Sequence, residues 1–260
     1  MDVSVIIPCF NHAGTLERAV TSALGQTSIF EVIIIDDAST DRSPEVAQNL
    51  VTHNAKVQLF RQENNAGPGA ARNRGVAQSG GEFICFLDAD DELMGDFIGV
   101  ALQLFEQKPE LIVAKCEMEF FDPVKGYILP PEDPRHQAAV LSSSCGMLMR
   151  REHFLRMGGF PEDLVFRGPA GGEDVAFMQA VMAHFQPIAR VEQPGYRVLS
   201  QSGSHVDRFL ASTRLTDAGL FEFVASPSIQ ADTAKLAASV EKYLSAVQAS
   251  IAHDSATAKL

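Results

Sequence analysis

The chain has no tryptophan, and no apolar stretch in it approaches the ~20 residues that a membrane-spanning helix requires. A spanning helix within the sequence is therefore not expected. Its four cysteines, Cys9, Cys85, Cys116 and Cys145, lie far apart and form no CxxC pair. That spacing argues against a zinc site and against a disulfide framework. Three of them sit in apolar, strand-like runs, where a thiol behaves as a small hydrophobe. Reduced thiols in a cytoplasmic protein are the expectation. Positive charge is also scarce: 21 Lys and Arg face 33 Asp and Glu, for a formal net charge of −12. This disfavours nucleic acid and anionic lipid as general partners. An anionic ligand such as a phosphate would need local compensation, which a divalent cation supplies. The opening MDVSVIIPCF has neither a basic n-region nor a cleavage site, so it reads as a first strand and not as a signal peptide.

What is present is ordinary for a globular protein: 260 residues with 46% hydrophobic and 21% charged content. A compact chain of this size buries about 75% of its unfolded surface and needs no staple. No tandem repeat, low-complexity segment or clean linker interrupts it.

The first third alternates with regularity. VSVIIPCFN is a strand that ends at a polar turn. GTLERAVTSALGQT follows, with a helical stripe of Leu16, Ala19, Val20, Ala23 and Leu24. EVIIIDDAST is a second strand whose continuous Val and Ile run suits a parallel sheet covered on both faces. DRSPEVAQNLVTHN is a second helix, with Ser43 as its expected cap and Pro44 in its first turn. KVQLFRQ, GPGAARNRGVAQS and EFICFLDADD complete a β-α-β-α-β-α-β order over residues 1 to 92. That order predicts a doubly wound, mostly parallel α/β sheet flanked by helices. Ligands bind beyond the carboxyl ends of such strands. Asn11, Asp36–Asp37 and Asp88–Asp91 all fall there.

The remainder is more mixed. A helix (MGDFIGVALQLFEQK), a strand (ELIVAKCEMEFF) and a Pro-rich hairpin and loop follow one another. SSCGMLMRREHFLRMGGF then reads as a strand entering a short helix, GGEDVAFMQAVMAHF as a loop and helix, and IARVEQPGYRVL as a strand. Residues 229 to 252 form a candidate helix with a stripe of Leu236, Val240, Leu244, Val247 and Ile251. Packing on the domain is its first reading. A homodimer contact is the second, and peripheral docking at a membrane surface a third, which the absence of a basic polar face disfavours.

The stretch FLDADDE carries the densest charge. Asp88 and Asp90 stand two apart, so in an extended chain they point to one face. Two carboxylates aimed at one point repel unless a cation lies between them. Magnesium and manganese prefer such oxygen ligands and keep positions open for phosphate oxygens. A solvated acidic turn is the plain alternative.

VSVIIPCFN, VIIIDDASTD, NNAGPGAARNRG and FLDADD, with GGF (Gly158 to Phe160) and GGEDVAF (Gly171 to Phe177) after them, occur in an order and spacing that strongly resemble the inverting glycosyltransferases of family 2. The resemblance covers roughly residues 2 to 205. It implies a GT-A fold at 1–225, with a nucleotide-binding half at 1–92 and an acceptor half at 93–225. A small helical extension at 226–260 follows. It also implies metal-dependent transfer from a nucleotide-sugar, most simply a UDP-sugar, to an acceptor hydroxyl on a glycan or lipid-linked oligosaccharide. That reaction would serve surface polysaccharide assembly from the cytoplasm or the inner face of the membrane.

Residue by residue, the resemblance implies that Pro8, Phe10 and Asn11 line the nucleotide pocket, with Phe10 stacking on the base. Asp37 would accept from a base edge such as uracil N3–H. Arg72 would meet the diphosphate or orient the first acid of FLDADD. Asp88 would bind ribose or the metal's water shell, and Asp90 would ligate Mn2+ or Mg2+ directly. Asp174 takes the place of the general base, and Glu173 that of an acceptor contact or a helix cap. His205 falls where a third metal ligand or a diphosphate contact often lies, with a solvated loop histidine as the plain reading. Arg150, Arg151 and Arg167 are candidate acceptor contacts whose plain reading is surface solvation. Processive members carry a QxxRW motif, which a chain without tryptophan lacks, so transfer of one or a few sugars is expected. Two alternatives stand beside this reading: a sugar nucleotidyltransferase, and a degenerate nucleotide-binding subunit. The first normally has a Gly-rich loop with Thr-Arg where this chain has PCFNHAG. The second is disfavoured by the presence of both FLDADD and GGEDVAF.

Overall fold

The computed structural model describes residues 1–167, 171–200, 204–216, 218, 220–224 and 227–257. The first half follows the predicted alternation. It runs β1 (Val3–Cys9), α1 (Leu16–Leu24), β2 (Ile29–Asp36), α2 (Ser43–His53), β3 (Val57–Arg61), α3 (Pro68–Gln78) and β4 (Phe83–Phe86). After it come β5 (Glu92–Leu93), α4 (Phe97–Gln107), β6 (Val113–Asp122), β7 (Gly126–Tyr127), α5 (Pro134–Ser142) and β8 (Met147–Arg150). The chain then forms α6 (Arg151–Met157), a 3-10 turn at Leu164–Arg167, α7 (Glu173–His184) and β9 (Ala189–Leu199). It ends with α8 (His205–Ala211), β10 (Thr213–Leu215), β11 (Phe221–Phe223) and α9 (Pro227–Thr257).

Among the described residues one sheet runs in the order β3-β2-β1-β4-β8-β6-β9-β5, with β7 beside β6. The neighbours from β3 to β4 are parallel. β8 inserts antiparallel to both β4 and β6, and β6 is parallel to β9. The β-branched runs of β1 and β2 are buried on both faces, as a sheet with helices on each side demands. Helix α1 buries Leu16, Ala19, Val20 and Ala23, its predicted stripe. Helix α3 crosses β1 at very short range. A Cβ on Gly75 would lie 2.3 Å from Cγ2 of Ile6, so only glycine lets this helix sit so low on the sheet. The close fit fixes the height of Arg72, which is one helical turn earlier.

Three parallel strands thus end together and deliver Asn11, Asp37 and Asp88 to one edge of the sheet.

Two local expectations need correction. Ser43 is the first residue of α2 and makes no cap; its Oγ accepts instead from His12 N at 2.8 Å, tying α2 to the β1–α1 turn. Arg150 and Arg151 are half-buried and paired within the chain rather than freely solvated. Arg150 lies over the rings of Phe83 and Phe105 and donates to Leu111 O, Pro109 O and Glu82. Arg151 donates to Val76 O and Ser79 Oγ. Both join the second half to the first.

Helix α9 is longer than the predicted 229–252. Val247 of its stripe is buried, and Leu244 and Ile251 pack on the core. Tyr243 Oη donates to Gly159 O at 2.7 Å and Ser250 Oγ to Arg156 O at 2.8 Å. The stripe therefore covers this chain's own α6 and α7. Contact with a second copy through α9 would have to use the helix's outer face.

Candidate active site

Asp37, first residue after β2, is almost fully buried (3% exposed). Its Oδ1 accepts from Gln62 Nε2 at 2.6 Å and from Ala66 N at 2.7 Å, and its Oδ2 from Gly67 N at 2.8 Å. The acid is thus the anchor of the loop between β3 and α3. A base edge would have to share Oδ2 with Gly67. Gly67 itself has φ +89, a conformation that favours glycine. Arg167 packs across it and donates to Asn65 O at 2.6 Å, so this arginine braces the same loop.

Arg72 is the centre of the site. It is 2% exposed, although arginine is almost never buried unless paired. Nη2 donates to Asp88 Oδ1 at 2.8 Å. Nη1 reaches Asp174 Oδ1 at 3.2 Å and Glu173 Oε1 at 3.4 Å. Its guanidinium carbon lies 5.3 Å from the centroid of Phe160. Nε has no partner among the described residues. Burial works against this charge, but Asp174 and Asp88 outweigh it and hold the Arg72 pKa well above the ordinary arginine value. The arginine spans the first acid of FLDADD and the pair that opens α7.

That pair stands in the first turn of α7, after Gly172 in the left-handed region at φ +107. Glu173 is buried, and burial together with Asp174 pushes its carboxyl up to about 7, against the opposing pull of Arg72. Asp174 is more open, with a side chain 26% exposed. Ser144 Oγ donates to its Oδ1 at 2.6 Å.

The acids after β4 divide. Asp91 turns into the core, where Oδ2 accepts from Tyr196 Oη at 2.8 Å and Oδ1 from Leu199 N at 2.8 Å. The same tyrosine oxygen accepts from Asp88 N at 3.1 Å. Burial, with Asp90 and Asp88 nearby, holds the Asp91 carboxyl well above its usual range. Asp88 keeps a side chain 35% exposed while bound to Arg72. Asp90 is raised by burial and, after it, by the charge of Asp88. Hard oxygen donors held close and charging against each other suit a divalent cation, with phosphate and water oxygens completing its shell. Among the described residues no group of three or more His, Cys, Asp and Glu forms a ready-made metal cage. His205 opens α8, and its side chain lies outside the described residues.

The remaining predicted residues stay at the rim or in the strand. Pro8 is buried within β1 opposite Ile35. Phe10, 43% exposed, stands at the open end of β1. Asn11 has φ +61 and uses Oδ1 to accept from Thr40 N at 2.8 Å and Asp41 N at 3.2 Å. It shapes the β2–α2 loop next to Asp37.

Two residues that hydrogen-bond to the acids of this cluster were missed. Ser144 stands in SSSCG, between α5 and β8, and no periodic pattern marks it. Tyr196 is an interior strand residue whose hydroxyl, fully buried, had to find polar partners. That buried-tyrosine rule was the one available signal.

Motifs far apart in sequence meet here. Asn73, next to Arg72, exchanges bonds with the backbone of Phe160 in GGF, at 2.7 Å from its N–H and 2.9 Å to its carbonyl. Phe160 in turn stacks on Phe177 of GGEDVAF with centroids 4.1 Å apart.

This architecture is the GT-A glycosyltransferase fold. Staphylococcus aureus TarS 1–349 in complex with UDP-GlcNAc matches with a TM-score of 0.65 at 22% identity, covering 79% of this chain and 60% of that one. The mannosyltransferase PcManGT from Pyrobaculum calidifontis, in complex with GDP-Man and Mn2+, matches with a TM-score of 0.58 at 20% identity, covering 98% and 75%. At such identities the likeness concerns the fold.

The family model described as glycosyl transferase family 2 matches residues 4–154, more than half of the sequence, and the chain belongs to that family. Its relatives include an uncharacterised glycosyltransferase of Escherichia coli, YibD, 32% identical over 173 residues, 64% of this chain and 50% of that protein. Another is the Campylobacter jejuni GalNAc(5)-diNAcBac-PP-undecaprenol beta-1,3-glucosyltransferase, 34% identical over 119 residues, 45% of this chain and 38% of that protein. A third is the succinoglycan biosynthesis protein ExoU of Rhizobium meliloti, 46% identical over 90 residues, 35% of this chain and 26% of that protein. The chain spans half the length of these relatives or less. No helix among the described residues is long and apolar enough to cross a membrane.

Proposed function

We propose that this chain transfers a sugar, with inversion, from a nucleotide-sugar to an acceptor hydroxyl. The single observation that carries the reading is the Arg72 bridge: one buried guanidinium holds Asp88, on the donor side, and Asp174, at the head of α7, in one cluster. Donor and base chemistry need that proximity.

Asp90 and Asp88 would hold a divalent cation, Mn2+ or Mg2+, which when bound neutralises the charge of the departing diphosphate. The loop anchored by Asp37 and braced by Arg167 shapes the nucleotide pocket, and Phe10 lies at its mouth. Arg72 sets the carboxylate of Asp88 and that of Asp174. Asp174, the open member of its pair, takes the proton from the acceptor hydroxyl. Glu173, its carboxyl pushed up to about 7, carries less than a full charge beside it near neutrality.

A UDP-sugar is the favoured donor, and GDP- and dTDP-sugars are its competitors. The TarS complex with UDP-GlcNAc and the PcManGT complex with GDP-Man and Mn2+ support the donor class and the cation. The Campylobacter and Rhizobium relatives support a lipid-linked or polysaccharide acceptor.

The test is donor turnover. Purified protein is incubated with UDP-, GDP- and dTDP-sugars and Mn2+, and released nucleoside diphosphate is measured with water or a glycan as acceptor. One donor class should be turned over, and Asp174→Asn should slow that turnover about 10²- to 10⁴-fold. Turnover equal to wild type in Asp174→Asn would remove Asp174 as the base. A product that retains the donor's anomeric configuration would overturn inversion.

A further inference from the structure

We propose that Ser144 is the positioning residue of Asp174: its hydroxyl pins one carboxylate oxygen and leaves the other for the acceptor. The inference rests on the reading of Asp174 as general base and says how that base is held.

Both hydrogen bonds to the Asp174 carboxylate end on the same atom. Ser144 Oγ donates to Oδ1 at 2.6 Å, and Arg72 Nη1 donates to Oδ1 at 3.2 Å. Among the described residues nothing donates to Oδ2, and the side chain is a quarter exposed. A carboxylate that must take a proton needs one oxygen fixed and one lone pair unspent. Sharing both donors on Oδ1 meets both needs. The arginine alone cannot do so, since it also serves Asp88 and Glu173 and would follow either if they shifted.

Ser144 is itself held with unusual firmness for a loop residue. It is fully buried. The carbonyls on either side of it, Ser143 O and Cys145 O, both accept from Lys115 Nζ, at 2.9 and 2.8 Å. Lys115 lies in β6 and is 4% exposed. A buried ammonium is costly unless its donors are used, and here two of them clamp the segment that carries the serine. Cys145 N donates back to Ser143 Oγ at 3.1 Å, closing the turn. Lys115 thus acts through Ser144, not on substrate. Besides Ser144, the charged and titratable groups around Asp174 are Arg72, Glu173, Lys115, Cys145 and Asp88.

The experiment compares wild type, Ser144→Ala, Lys115→Met and Asp174→Asn as full chains. Crystal structures of wild type and Ser144→Ala read the position of the carboxylate directly. Turnover of the preferred nucleotide-sugar with water or glycan, and calorimetric affinity for its nucleoside diphosphate, read the consequence. In Ser144→Ala the Asp174 carboxylate should rotate away from its wild-type position or occupy two. Turnover should fall roughly ten-fold with melting temperature and nucleotide affinity unchanged. Lys115→Met should slow turnover in the same direction, and combining it with Ser144→Ala should add little. An unmoved carboxylate in Ser144→Ala overturns the proposal whatever the rates are. Wild-type turnover in Ser144→Ala, with Asp174→Asn inactive, overturns the functional part alone. Full turnover in Asp174→Asn refutes the base reading, while the Ser144→Ala structure still decides whether the hydroxyl positions the acid.

Discussion

Arg72 Nη1 stands 3.2 Å from Asp174 Oδ1, across 102 positions of sequence. The two residues come from α3 and α7, and the bond between them joins a helix of the nucleotide-side half to the helix that bears the candidate base.

Arg72→Met removes this contact and takes from Asp88, Glu173 and Asp174 the guanidinium they share. Breaking a buried ion pair from one side costs about 3 to 5 kcal/mol. The lower end is expected here, because Asp88 and Asp174 retain water contact. Chemical denaturation should show a loss of about 3 kcal/mol, and turnover should fall at least as far as in Ser144→Ala. Stability within about 0.5 kcal/mol of wild type would place Arg72 outside the core network.

Glu173 makes stability depend on pH. Its carboxyl, pushed from 4.5 to about 7 by burial and Asp174, binds its proton more tightly folded than unfolded. The folded state therefore holds more protons, and this group's contribution to stability declines as pH rises from about 4.5 to about 7. Glu173→Gln stays neutral throughout. Thermal melts should show the variant gaining on wild type by a few degrees across that window. Parallel curves would mean that Glu173 titrates alike in the folded and unfolded chain.

Asn73→Ala tests the meeting of motifs. Asn73 both donates to and accepts from the backbone of Phe160, and its loss leaves those groups unpaired. A loss of about 2 kcal/mol is expected by denaturant unfolding. Because Phe160 lies against Arg72 and Phe177, nucleotide-sugar turnover should fall with it. A neutral substitution would mean that the stacked rings hold the turn unaided.

The sheet up to β4 was legible because its signals are local. Ile33, Ile34 and Ile35 make a run that suits a strand covered on both faces, and the stripe on α1 has helical period. Asp37, Asp88, Asp90 and Asp174 were found through motifs at strand ends and a helix start. What those motifs hid was orientation. Nothing in FLDADDE says that Asp91 turns inward, because the tyrosine that receives it lies 105 positions away. Ser144 was invisible for the same reason: its partner is 30 positions on, and the lysine that clamps its loop comes from another strand. Ser43 and Arg150 were misread because surface and cap propensities are local averages, while tertiary partners overrode them.

Nucleoside diphosphate binding with and without metal tests the central claim most directly. UDP, GDP and dTDP are titrated calorimetrically into wild type and Asp90→Ala, with and without Mn2+. One nucleotide should bind wild type tightly with Mn2+, and binding should weaken sharply both without the cation and in Asp90→Ala. Failure of all three to bind would contradict a working nucleotide-sugar site at the end of β4, and equal binding by Asp90→Ala would contradict the role given to its carboxylate.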